Sequence, residues 1–155
     1  MRGAGPFRPS WHRGKPAAAV EQLPLPARRH IVAVSVGLGA VTRAREAMAG
    51  YLADAGVTVG SAFADAVLLA VSELVTNVLR HATRSPVTNV GITVGAGHLV
   101  VSVADTEPRL PPPAGMGVGL LMVTEPATAF GGTVSMETAA GHDGKTVLVR
   151  FPMPS

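Results

Sequence analysis

Residues 61–82, "SAFADAVLLAVSELVTNVLRHA", are the stretch that most constrains the fold, because apolar positions return there at a helical interval over six turns. Val67, Leu68, Val71, Leu74, Val75, Val78 and Leu79 map to one broad arc, so a helix here must lie on a second apolar layer. Glu73, Thr76, Asn77, Arg80 and His81 lie opposite, and Glu73, Asn77 and His81 stand at steps of four, in one row. Ala66, Leu69 and Ala70 sit one turn back on the side of Glu73, where a purely solvated face has no need of them. They suit the floor of a pocket into which Glu73 and Asn77 point. A carboxylate so placed can act as a base, and an amide oxygen can ligate a hard cation such as Mg²⁺. A polar stripe of this kind is also what a solvated helix face looks like. On this helix alone both readings stay open.

The rest of the chain supplies the layer. The β-branched run 30–36 predicts a strand broken by Gly37 and Gly39, and 41–55 predicts a helix stopped by Gly56. Ser61 is the expected N-cap of the long helix, with Asp65 in its first turn, and "RSP" at 84–86 closes it. Two β-rich runs, 87–94 and 98–104, flank "GAG" as a hairpin. A long Pro- and Gly-rich loop covers 105–119, a short helix is expected over 118–129, and strands at 132–138 and 145–151 flank the turn "AGHDG". Strands in succession with short turns imply a mixed, mostly antiparallel sheet. Helices gathered on one of its faces give a two-layer α/β sandwich.

Charge separates a tail from this domain. Residues 1–29 carry six basic side chains against Glu21 alone, which leaves seven basic and nine acidic residues in 30–155. With five prolines and few large apolar residues, 1–29 reads as a disordered basic tail, and 30–155 as a single domain. The basic charge therefore belongs to the tail, and nucleic acid is not the expected partner of the domain. Arg28 and Arg29 ahead of an apolar stretch resemble an export signal, but "HIVAVSV" reads better as a first strand. No apolar run is expected to span a bilayer, so no membrane partner is expected. The chain has no cysteine, which excludes disulfides, thiolate metal sites and a Cys nucleophile and fits the cytoplasm. Its histidines (12, 30, 81, 98 and 142) show no metal-ligand spacing, and no serine sits in a nucleophile elbow.

Three further motifs carry chemistry. "VVSVAD" is an apolar strand ending on Asp105, which sets a carboxylate at the sheet's end or simply opens a turn. "GMGVGL" places Gly115, Gly117 and Gly119 before a helix start, where free amides and the helix dipole suit phosphate. It is not the dinucleotide fingerprint, whose third glycine would fall on Leu120. "GKT" at 144–146 is not a P-loop, because Ala139 stands where its first glycine belongs and a strand follows. Taken locally, Gly144-Lys145 is a hairpin turn and Thr146 a strand residue.

The order of these motifs is more specific than any one of them. A helix with E-L-V-T-N-x-x-R-H-A, a strand ending in Asp, a glycine loop opening a helix and G-K-T before a last strand resemble the GHKL ATP-binding superfamily. Within it, the chain from Ile31 to Phe151 is most similar to the anti-sigma-factor serine/threonine kinases with a histidine-kinase-like ATPase fold. The resemblance implies ATP and Mg²⁺ as cofactors. It makes Glu73 the base that activates the attacking hydroxyl, Asn77 the Mg²⁺ ligand, and Asp105 the carboxylate that reads the adenine amino group. Gly115, Gly117, Gly119 and Leu120 become the phosphate-facing loop, and Thr146 the threonine near the adenine pocket. It further implies a STAS-like anti-anti-sigma protein and a sigma factor as partners, a homodimer, and transcription regulated by partner switching. Three features depart from the family's pattern: Glu107 for a glycine, Pro111–Pro113 in the lid segment, and Pro126 after the glycine loop. They favour the alternative of a weak or inactive regulatory module that acts by contact.

Overall fold

The computed structural model describes residues 10–14, 28–81, 86–106, 127–139 and 144–154. Along the chain these form β1 (Ser10–Gly14), β2 (Arg28–Ser35), α1 (Ala40–Asp54), α2 (Ala62–His81), β3 (Val87–Gly95), β4 (His98–Asp105), β5 (Thr133–Ala139) and β6 (Lys145–Pro152). The six strands make one sheet in the order β1-β5-β6-β4-β3-β2. Every neighbouring pair is antiparallel except β1 with β5. This is the expected mixed sheet with one helical layer.

Local chemistry explains where the elements stop. Gly56, at φ 84°, ends α1: its N–H bonds the Ala53 carbonyl at 3.0 Å and Val57 N–H bonds that of Leu52 at 2.9 Å. That is the paired 5→2 and 6→1 closure of a helix C-terminus, which a residue with a Cβ reaches only under strain. Ser61 caps α2 by accepting the Ala64 N–H on Oγ at 3.1 Å. Ala96 and Gly97 both take positive φ, 51° and 76°, as a two-residue β3–β4 hairpin with the strands' own twist requires.

The helices bury their apolar arcs on one sheet face. Ala40, Ala44, Met48 and Leu52 of α1 and Val67, Val71, Leu74 and Val75 of α2 pack over Val90, Ile92, Leu99, Val101, Val149 and Phe151. Phe63 bridges the layers edge-on, with ring centroids 5.8 Å from Phe151 and 5.6 Å from Phe130.

Two expectations are corrected. Residues 10–14, placed with the disordered tail, form an edge strand parallel to β5, and β2 begins at Arg28. By length and composition Ala62–Arg80 is apolar enough to cross a bilayer, with mean hydropathy 1.7, but here it is the core helix on the sheet. Of the helix expected over 118–129, the turn at 127–129 is seen, and residues 118–126 lie outside the described residues.

Candidate functional site

Around α2, at about 100° per residue, the buried positions Phe63, Ala66, Val67, Ala70, Val71, Leu74, Val75 and Val78 span the side that meets the sheet. Arg45 of α1 holds one flank, donating from Nη1 to Ser72 Oγ at 2.7 Å and to the Leu68 carbonyl at 3.3 Å. Glu73 and Asn77 occupy the flank away from that tie, level with buried Ala66 and Ala70. Leu69, expected beside them, is exposed at 38%. Both polar residues are half-buried, and neither has a hydrogen bond or ion pair among the described residues. Next to them Thr76 Oγ1 donates to the Ser72 carbonyl at 2.7 Å and Ser72 Oγ to that of Leu68 at 2.9 Å, so those hydroxyls are spent on the helix itself. The row thus presents one carboxylate and one amide whose polar atoms are not consumed by the described residues. The His81 side chain lies outside the described residues.

The sheet contributes a second group. Asp105 closes β4 and Lys145 opens β6, and the two stand opposite one another in the antiparallel register. Asp105 follows Val101 and Val103 on the helix-facing side, because side chains on a strand alternate. Lys145 precedes Val147 and Val149 on that same side. Lys145 Nζ donates to Asp105 Oδ2 at 2.8 Å, with side-chain exposures of 7% and 3%. The expected turn residue is thus a buried strand residue. Thr146 projects from the other face, opposite Ala104 and level with Glu137. Alternation therefore sets Thr146, which the resemblance places near the adenine pocket, on the other face from Asp105, and the β6 residue beside the aspartate is Lys145. Sequence reasoning missed Lys145. The signal was available: pairing two antiparallel strand ends sets Asp105 and Lys145 level. Gly115, Gly117, Gly119, Leu120, Glu107, Pro111–Pro113 and Pro126 lie outside the described residues.

The donor set fits Mg²⁺ held jointly with phosphate. Among the described residues no three His, Cys, Asp or Glu side chains converge on one point, so no all-protein cage forms there. Mg²⁺ ordinarily keeps waters and substrate phosphates and takes only one or two protein oxygens, which is what the Asn77 amide oxygen offers.

Residues 63–155 match the family model for histidine kinase-, DNA gyrase B- and HSP90-like ATPases. The chain belongs to this family. It is a GHKL-type ATP-binding domain, and the sandwich with α2 across its sheet is that family's fold. Among solved structures, the histidine kinase domain from the Erythrobacter litoralis EL346 blue-light activated histidine kinase is similar at 20% identity and a TM-score of 0.49. The likeness covers 73% of this chain and 61% of that one. No curated protein matches the chain.

Proposed function

We propose that this ATP-binding domain is a cytoplasmic serine/threonine protein kinase of the anti-sigma type, which transfers the γ-phosphoryl group of ATP to a serine of a STAS-like anti-anti-sigma partner. Partner switching follows: the unphosphorylated partner draws the kinase from a sigma factor, and phosphorylation sends it back. The observation that carries the reading is the α2 row, in which Glu73 and Asn77 lie one turn apart, half-buried and without a hydrogen bond or ion pair among the described residues. The motif around them, E-L-V-T-N-x-x-R-H-A, supports the subfamily, whose likeness in turn implies a homodimer.

Each residue then has one task. Asn77 offers its amide oxygen to Mg²⁺, which when bound neutralises phosphate charge. Asp105 accepts from the adenine amino group. Glu73 takes the proton of the attacking serine hydroxyl as its oxygen bonds to the γ-phosphorus and the bond to ADP breaks. Little of this is covalent work for the protein; position and charge carry it.

Calorimetry of ATP binding with and without Mg²⁺, on wild type and Asn77→Ala, tests the site. Wild type is expected to bind more tightly with Mg²⁺, and Asn77→Ala to weaken that binding at least about tenfold. Equal Mg²⁺ dependence in both proteins would sink the assignment of Asn77. The contact-only regulator is the second reading. It is favoured by Glu107 and the Pro111–Pro113 run in the segment that would close over nucleotide.

A further inference from the structure

The buried pair at the ends of β4 and β6 gives the site a second polar group where a lone carboxylate was expected. We propose that Lys145 is a base-recognition residue, which donates to a ring nitrogen beside the 6-amino group of the adenine bound by Asp105. The proposal rests on the nucleotide-binding reading above and goes beyond it, because it names the group that reads the base together with the aspartate.

Three observations carry it. Lys145 and Asp105 share the helix-facing side of adjacent strands and meet at 2.8 Å through Oδ2, so a donor that binds at that oxygen lies close to the ammonium. Lys145 is 7% exposed, yet Asp105 is the sole acceptor for its three N–H groups among the described residues. A buried ammonium with donors to spare is costly unless something accepts them. Thr146 lies on the other face of the sheet, so the β6 side chain beside Asp105 is that of Lys145.

The chemistry of adenine matches the pair. Its 6-amino group is a donor, and the ring nitrogens N1 and N7 on either side of it are acceptors. A carboxylate can take more than one donor, so Asp105 can keep Lys145 and accept the amino proton as well. The ammonium then lies beside the amino group, within reach of one flanking nitrogen. The ion pair need not open. Opening it would strand a buried charge, which is strongly unfavourable.

The test compares ATP with 1-deaza-ATP and 7-deaza-ATP, each of which replaces one flanking nitrogen by C–H. Binding to the full chain is measured by calorimetry with Mg²⁺. Wild type is expected to bind one analogue at least about tenfold more weakly than ATP, the effect of losing a hydrogen bond to a charged donor. Lys145→Met is expected to bind ATP about as weakly as that analogue and to treat all three nucleotides alike. Lys145→Arg, which keeps a cationic donor, is expected to retain the discrimination. The comparison on wild type alone needs no variant, so a Lys145→Met chain that does not fold leaves the test standing. Equal wild-type affinity for all three nucleotides overturns the role of Lys145 and leaves the nucleotide site intact. Tighter ATP binding by Lys145→Met also overturns it, by showing that Lys145 competes with the base. A folded wild type that binds none of the three at millimolar concentration removes the nucleotide-binding reading, and this proposal with it.

Discussion

Glu73→Gln is expected to lower phosphoryl transfer by about 10²–10⁴-fold while leaving Mg²⁺-ATP affinity unchanged. The loss follows from chemistry. A carboxamide keeps the shape of the side chain but cannot accept the serine proton, so the nucleophile stays a neutral hydroxyl. The retained affinity follows from position. Glu73 is half-buried and has no hydrogen bond or ion pair among the described residues, so the exchange breaks nothing in the fold. Asn77, one turn on, keeps its own place on the helix. Transfer of labelled γ-phosphate to a STAS-like partner, with calorimetry on the same samples, reads both quantities. The substitution also separates the two functional readings. A kinase loses its regulatory output with its transfer activity, whereas a contact regulator keeps it. Unchanged transfer in Glu73→Gln would remove Glu73 as the base.

The helical layer and its polar row were legible because both obey a local period. The apolar arc of α2 needs only spacing to be read, and the same spacing puts Glu73 and Asn77 on the flank that the other described residues leave uncommitted. Ser61 and Gly56 were legible for a similar reason, since a cap hydroxyl and a positive φ are demands that a single residue type meets. What could not be read locally depends on distant partners. The strand at 10–14, "SWHRG", has no apolar alternation, and it exists through backbone pairing with residues 135–139. Lys145 is another case. Its neighbours alone describe a turn, and its burial and its role come from Asp105, forty residues earlier in the chain. Thr146 depends on the same register, because one strand position separates it from Lys145 and sets its side chain on the opposite face.

Gly144→Ala is expected to destabilise the fold by about 2–5 kcal/mol, from backbone strain and a collision together. Gly144 has φ 120°, a conformation that residues with a Cβ rarely adopt. A Cβ added there would also run into the Asp105 carbonyl oxygen and approach Thr106 Cα at 3.3 Å. Those contacts are backbone, so no rotamer change relieves them, and the start of β6 must move away from the end of β4. That movement separates the two strand ends whose register sets Lys145 against Asp105. The same substitution is therefore expected to weaken ATP binding even at temperatures where the chain stays folded. Gly56→Ala is the control. Gly56 also has positive φ, 84°, but a Cβ there meets nothing within 4 Å, so only the strain of roughly 1 kcal/mol applies. Thermal melts of the two variants separate the effects. For a chain of this size each kcal/mol lowers the midpoint by about 2–4 °C, so Gly144→Ala is expected to fall well below Gly56→Ala. Equal midpoints would mean that the close approach of Gly144 to β4 does not constrain the fold. A stable Gly144→Ala with normal ATP affinity would show that the Lys145–Asp105 contact does not depend on this register.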